Sequence, residues 1–237
     1  DGLGIFAAYV DEAFARADLL GDPFEGSTTK VNKEFLRSFY KHPQRGENLE
    51  GIHQTLAQFS LKNTAVSCWH MNEHESAAMW KLYLKMEEGI AIRSTFARLE
   101  RSFQPDDGVP KNMEHTIFAG EVRYLDYDTD SMDMTSSYAP FMHKKVSFNH
   151  EREVRAVISC LPMQGLPITS GTSLDSLACS FPNGGVSVSV DLQTLVERVY
   201  IAPRVKPWFV KLVKSVIQTY GFAFPVQQSR LGEDPIY

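Results

Sequence analysis

One stretch of this chain constrains its fold more than any other: from Glu153 to Cys160 the side chains alternate with the period of two that belongs to a β-strand. Val154, Ala156 and Ile158 make one face apolar, while Glu151, Glu153 and Arg155 fall on the other. Such a strand lies over a core on one side and carries charge on the other, and it is not stable without neighbours in a sheet. Residues 64–69, 89–93, 118–127, 186–190, 198–201 and 224–228 have the β-branched and aromatic content, or the alternation, to supply them.

Between these segments the apolar period lengthens. Phe6, Val10, Phe14 and Ala17 recur at helical spacing, as do Phe35, Leu36, Phe39 and Tyr40, and a third helix is expected over 49–59. Residues 1–60 are therefore expected to be a helical N-terminal part, interrupted by the loop that holds Gly21, Pro23 and Gly26. Asn72, with Glu75 three positions on, has the form of a capping box and predicts a helix over 73–88 that Gly89 stops. Ser94 is expected to cap a helix running to 103, and further helical segments are expected at 138–145 and 207–220. The proline- and glycine-bearing segment 104–112, the acidic turns at 126–137 and a long surface excursion over 161–185 are expected to be loops. The whole predicts an α+β fold in a single domain spanning 1–237, with an α+β core over 61–237. Its sheet is expected to be mixed or antiparallel, with flanking helices and the helical N-terminal region.

Composition narrows the function. At 237 residues and 43% hydrophobic content the chain can fill a core. A net charge of −5 makes a nucleic-acid partner an unfavoured expectation, because such surfaces carry a basic excess. Apolar runs end within about a dozen residues, short of the ~20 that cross a bilayer, and no signal segment opens the chain, so no membrane association and a cytoplasmic location are expected. The chain opens on Asp1 rather than Met, so upstream residues are expected to have been removed. Cys68, Cys160 and Cys179 form no close pair and are expected to be reduced, mostly buried thiols.

Several residues can carry chemistry. Ser76, Met79, Trp80 and Tyr83 share a face of the expected 73–88 helix and set two large aromatics side by side. Lys144, Lys145, Arg152 and Arg155, with Arg93, suit a phosphate or diphosphate, and an arginine is the better fork for it; each also fits the role of a solvated surface charge. His70 and His74 match an H-x-x-E-H metal spacing, but Asn72 as a cap would keep the two rings off one helix face, and no third ligand is evident, so no metal is expected. His42, His53, His115, His143 and His150 are scattered, and no phosphate-cradling glycine loop is present.

Two sets of residues together resemble a bacterial family known as domain of unknown function 2971: Ser67-Cys68-Trp69-His70 with Glu75 through Tyr83 and Gly89 through Ile92, and Lys144 through Phe148 leading into Glu151-Arg152-Glu153-Val154-Arg155. Asp22-Pro23-Phe24-Glu25 resembles the family's early motif, and Glu197 through Pro203 its late strand. The resemblance implies a bacterial or phage-borne protein found beside conflict or defence genes. Many members begin with an extra strand bearing a tyrosine and a basic residue, which is expected to be absent here. The Glu151-x-Glu153 entry into a strand is also similar to the motif of ADP-ribosyltransferase folds, which implies a catalytic Glu153, with Glu151 and Ser67 in support, acting on NAD. Trp69, Trp80 or Tyr83 would stack on a base, and Arg93, Lys144, Lys145 and Arg155 would hold phosphates. The first-strand arginine or histidine of those enzymes has no counterpart in the sequence.

A nucleotide or dinucleotide ligand is thus expected, with NAD-dependent transfer as the leading chemistry. A non-catalytic module that captures a nucleotide or a protein partner is the alternative. A magnesium nuclease using paired carboxylates is a second, although Arg155 stands where its lysine would be. Glu153 and Arg155, two apart on a strand, also fit a purely structural ion pair.

Overall fold

The computed structural model describes residues 4–7, 13–40, 49–84, 87–104, 117–160, 181 and 184–234. The strands are β1 (Gly4–Ala7), β2 (Ala13–Arg16), β3 (Thr64–Met71), β4 (Ile90–Thr95), β5 (Phe103–Gln104), β6 (Phe118–Glu121) and β7 (Arg123–Leu125), then β8 (His143–Lys145), β9 (Glu153–Ser159), β10 (Gly185–Ser187), β11 (Ser189–Val190), β12 (Arg198–Ile201) and β13 (Val226–Gln228). The helices are α1 (Lys30–Tyr40), α2 (Leu49–Lys62), α3 (Ala77–Tyr83), α4 (Phe96–Ser102), α5 (Leu192–Leu195) and α6 (Pro207–Thr219). The fold is α+β, and its sheets are mainly antiparallel.

β9 pairs with β3 along its length, from Thr64 opposite Ser159 to His70 opposite Glu153, and takes β6 on its far edge. The other edge of β3 is divided. β2 pairs at Ala65 and Val66, whereas β1 pairs at His70 and Met71. The sheet therefore splits beyond β3 into one wing of β1, β4, β12 and β13 and another of β2 and β10. β12 and β13 run parallel.

The expectation of a helical N-terminal region holds for α1 and α2 only. Residues 4–7 and 13–16 are strands, although Phe6, Phe14 and Ala17 carry a helical period. β1 is inserted between β3 and β4 and pairs with both. Ladder bonds on two sides outweigh a period sampled over barely three turns. Neither of these strands carries both the tyrosine and the basic residue of the family's extra strand: β1 has neither, and β2 has Arg16 alone. Val10 and residues 105–112, and most of the expected excursion over 161–185, lie outside the described residues.

The two sheet faces differ. One is apolar: Phe14, Phe59, Ala65, Ala156 and Ile158 cluster near β2, and Trp69, Ile92, Leu99, Val154, Leu195 and Val199 cluster under α4, α5 and α6. The opposite face is apolar at one end, where Val66, Phe141, Met142 and Val157 meet. At its other end it buries charge: Glu153, Arg155 and Lys144 are all buried there. This charged end carries the candidate site.

Three local expectations shift. Asn72 accepts from the Glu73 amide, but Ser76 caps α3, so that helix runs from Ala77 to Tyr83 rather than over 73–88. Pairing with β9 keeps the chain extended to Met71, whose amide donates to the Arg152 carbonyl, and the helix must start after the turn that follows. Ser94 is buried and donates to the Leu195 carbonyl, leaving Thr95 to cap α4. The expected helix at 138–145 is a short 3-10 turn, Ala139–Phe141, followed by β8.

Candidate functional site

The approach to β9 sets the geometry. After β8 the chain makes a 3-10 turn over Val146–Glu151, and Arg152 then takes a left-handed conformation with φ 41°, the one non-glycine positive φ among the described residues. Glu151 therefore belongs to the turn and not to the strand, a correction to the simple alternation of Glu151, Glu153 and Arg155. The left-handed residue swings the Glu151 backbone toward β3, where its carbonyl lies 2.5 Å from His70 Nδ1. It also leaves the Glu151 carboxylate beside Lys144 Nζ.

Glu25 arrives from the opposite direction, in the turn over 22–26. Asp22 accepts from the Phe24 amide, and Gly26 adopts φ +66°. A Cβ at Gly26 would stand 2.7 Å from Leu61 and 2.8 Å from Phe141, so only glycine lets this turn press against the core. The turn delivers the Glu25 carboxylate to Arg155, whose Nη1 and Nη2 donate to its two oxygens at 2.5 and 2.9 Å. Arg155 Nη1 also donates to the Phe141 carbonyl at 2.6 Å, and Nη2 to Glu153 at 3.2 Å. Arg155 Nε lies 3.2 Å from Glu153 Oε1 without the alignment of a hydrogen bond. Lys144 Nζ adds a second cation 3.4 Å from Glu153, and the Glu153 amide donates to Tyr124 Oη.

This packing decides protonation. Burial pushes the Glu153 carboxyl up, but Arg155 and Lys144 outweigh it and hold the group below the ordinary carboxylate value. At Glu25 burial wins over the same arginine, and the carboxyl is raised. Burial, with Glu153 as neighbour, raises the Cys68 thiol well above its usual value, so it is no nucleophile. Burial and the charges nearby bring the Tyr83 hydroxyl to about 12.

Beside Glu153 lies a hollow of about 70 Å³, between β3, α3 and the 151–153 turn. Its aromatic side is Trp80 and Tyr83, joined by Met79; its polar side is Glu75, Glu151, Glu153 and His70. Trp80 Nε1 donates to Glu75 at 3.0 Å, which fixes the ring. Since the Glu151 carbonyl can only accept, the His70 proton sits on Nδ1; Nε2 is buried and has no hydrogen-bond partner. Among the described residues no lysine or arginine lines the hollow, and no group of three His, Cys, Asp or Glu is placed to hold a metal.

The residues singled out in the sequence divide sharply. Glu151, Glu153, Trp80 and Tyr83 meet at the hollow, with Ser76 and Met79. Ser67 does not: it pairs with Ala156, whereas Cys68 and His70 pair with Arg155 and Glu153, so Ser67 points to the opposite face and accepts from Trp69 Nε1 at 3.1 Å. Trp69 lines the hollow from β3, yet its side chain belongs to the apolar face with Ile92 and Val154. Arg155 is 1% exposed and its Nη1 and Nη2 are spent on Glu25, Glu153 and the Phe141 carbonyl, so it holds Glu153 and no ligand. Lys144 is spent on Glu151 and Glu153, and Lys145 lies 3.2 Å above the Phe24 ring. The basic cleft expected from Lys144, Lys145 and Arg155 is therefore an internal ion network. Arg93 stays partly exposed on the hollow's side of β4. His70 sits on a strand and His74 in the turn after it, which removes the metal spacing; His42, His115 and Cys179 lie outside the described residues.

Glu25, Cys68, His70 and Tyr124 were not among the expected site residues. Extending the 64–69 strand by two residues would have put Cys68 and His70 on one face by alternation. Glu25 and Tyr124 gave no comparable signal, because each reaches the site through tertiary packing.

No protein-family model, no curated protein and no solved structure matches this chain.

Proposed function

We propose that the hollow binds the sugar end of a nucleotide and that Glu153 stabilises positive charge at the anomeric carbon, in an NAD-dependent transfer like that of ADP-ribosyltransferases. The observation that carries this reading is a buried carboxylate, held below its ordinary value by Arg155 and Lys144, bordering a hollow walled by Trp80 and Tyr83. A fixed negative group in a site of low dielectric is what an oxocarbenium-like transition state requires. In the reaction the bond from ribose to nicotinamide breaks with its electron pair leaving on nicotinamide. The acceptor's lone pair bonds to the same carbon, and its proton is released to solvent.

The residues present suit one end of such a ligand only. At about 70 Å³ the hollow is far smaller than the ~300–1,000 Å³ of sites that enclose a whole small-molecule ligand. Three carboxylates and an imidazole line it, so the group that enters must donate hydrogen bonds, as ribose hydroxyls do, and phosphates must stay outside.

Non-catalytic capture of a nucleotide is favoured by one feature, the neutralisation of Glu153 by both Arg155 and Lys144, which reduces the field available to a transition state. The nuclease reading lacks support, since the same two cations occupy the carboxylates it would give to magnesium. Family membership beside domain of unknown function 2971 and a role in bacterial or phage conflict belong to the same proposal and rest on the sequence motifs. The test is nicotinamide release from NAD by wild type and Glu153→Gln. Release that the variant lowers by about 10²-fold or more supports transfer chemistry. Saturable NAD binding without release supports capture, and neither binding nor release overturns both.

A further inference from the structure

Beyond the hollow, the same sheet face carries two arginines in direct register. Arg93 of β4 pairs with Arg198 of β12, and Ala91, which lines the hollow, pairs with Tyr200 two positions further along both strands. Paired positions project to one face, so both arginines stand on the hollow's side, about 7 Å along the strand from its wall. Trp80 shares one buried cluster with Ala91 and Tyr200.

Like charges directly opposite one another on neighbouring strands repel, and their side chains are here only partly compensated. Among the described residues Arg93 Nε is buried without a hydrogen bond, and the carboxylate nearest it, Glu197, lies 3.8 Å away, beyond hydrogen-bonding distance. Arg198 spends one N–H on Gln227 at 2.6 Å, a neutral partner. The two guanidinium groups therefore hold unspent donors and a net positive charge in partly exposed positions, in contrast to Lys144 and Arg155, which are buried against carboxylates. Guanidinium forks of this kind suit the oxygens of a phosphate.

We propose that Arg93 and Arg198 form an anion subsite for the phosphate or diphosphate of a ligand whose hydroxyl-bearing end enters the hollow. The proposal rests on the reading of the hollow for its second half, while the subsite itself stands on the arginine pair. It makes the ligand a sugar phosphate or nucleotide whose anion reaches past the hollow's acceptors by about 10 Å, the two strand spacings that part His70 of β3 from Arg93 of β4 across β1.

The experiment measures binding of pyrophosphate, nicotinamide riboside and nicotinamide mononucleotide to wild type, Arg93→Gln, Arg198→Gln and Arg198→Lys. Both positions are partly exposed, and thermal melting checks that each variant is folded. The expected result is that the mononucleotide binds at least tenfold more tightly than the riboside, that either glutamine variant abolishes this difference while leaving the riboside unchanged, and that Arg198→Lys restores part of it. Pyrophosphate should bind wild type, more weakly as salt rises, and lose affinity about tenfold in either glutamine variant. Pyrophosphate affinity equal in wild type and both variants overturns the subsite. Pyrophosphate binding that depends on both arginines, with no binding of riboside or mononucleotide, keeps the subsite and overturns the reading of the hollow.

Discussion

Replacing Arg155 with methionine removes the one cation that touches both buried carboxylates, and the cost can be worked from its partners. Glu153 keeps Lys144 at 3.4 Å, so the main group left uncompensated is Glu25, whose side chain is 3% exposed. Breaking a buried pair on one side costs about 3–5 kcal/mol. Protonation sets a ceiling, because a carboxyl with the ordinary value of 4.5 can be neutralised at pH 7 for about 3.4 kcal/mol, at about 1.36 kcal/mol per pH unit. The lost bond to the Phe141 carbonyl adds about 1 kcal/mol. Arg155→Met should therefore destabilise by about 3–4 kcal/mol at pH 7, or roughly 6–16 °C in melting temperature for a chain of this length. The ceiling falls with pH: at pH 5 neutralisation costs only about 0.7 kcal/mol, so the deficit should shrink by about 2–3 kcal/mol. The sign agrees with linkage, since a carboxyl raised in the folded state gives stability that is full below its unfolded value and lost as pH rises through the folded one. Urea unfolding of wild type and variant at both pH values measures this, and Glu25→Leu combined with Arg155→Met should recover most of the loss. A deficit below about 1 kcal/mol, or one that does not change between pH 7 and pH 5, would show that Arg155 does not hold a buried charge.

Two further outcomes are expected. Glu153 lies below its ordinary value when folded, so its stability contribution is present above about 4.5 and is lost as pH falls through the folded value; the stability gap between wild type and Glu153→Gln, followed by denaturation from pH 7 downward, should close below that point, and a gap that widens in acid would reverse the assignment. Arg152 holds a left-handed conformation at φ 41°, so Arg152→Gly should be neutral or stabilising by up to about 1 kcal/mol, whereas Arg152→Val should destabilise by about 2 kcal/mol or more; equal melting temperatures for the two variants would mean that the turn relaxes out of that conformation.

The legible parts of this fold are those that local physics decides. β9 is an alternating strand whose apolar face can be read directly, and α6 opens on Pro207 and keeps a helical period to its end. Met79, Trp80 and Tyr83 share a face in any helix that contains them, so their meeting at one wall survived a four-residue error in where the helix begins. What stayed hidden was decided at long range. The helical period at Phe6 and Phe14 gives no hint that β3 and β4 leave a gap for a strand between them. Ser67 and Cys68 are adjacent, and only the pairing with β9 says which of them faces Glu153. Lys144, Lys145 and Arg155 look alike as a basic cluster until Glu25, 130 positions from Arg155, arrives to claim one of them.

That distribution of charge bears on what the site can hold. A cation bound to a carboxylate at hydrogen-bond distance offers little to an incoming phosphate, because the phosphate would have to displace a partner that burial already favours. Lys144 and Arg155 are thus removed from ligand binding by the contacts that keep Glu153 ionised, and the two tasks cannot be shared by the same residues. An anionic ligand must find its cations elsewhere on this face, and among the residues in register with the hollow Arg93 and Arg198 are those with donors to spare. On the proposed reading, the hollow and the arginine pair ask opposite properties of one molecule, hydroxyl or amide donors at one end and negative charge at the other. A purely anionic ligand would meet Glu75, Glu151 and Glu153 lining the hollow, and a purely cationic one would meet the arginines, so on this proposal each would be opposed by one half of the face.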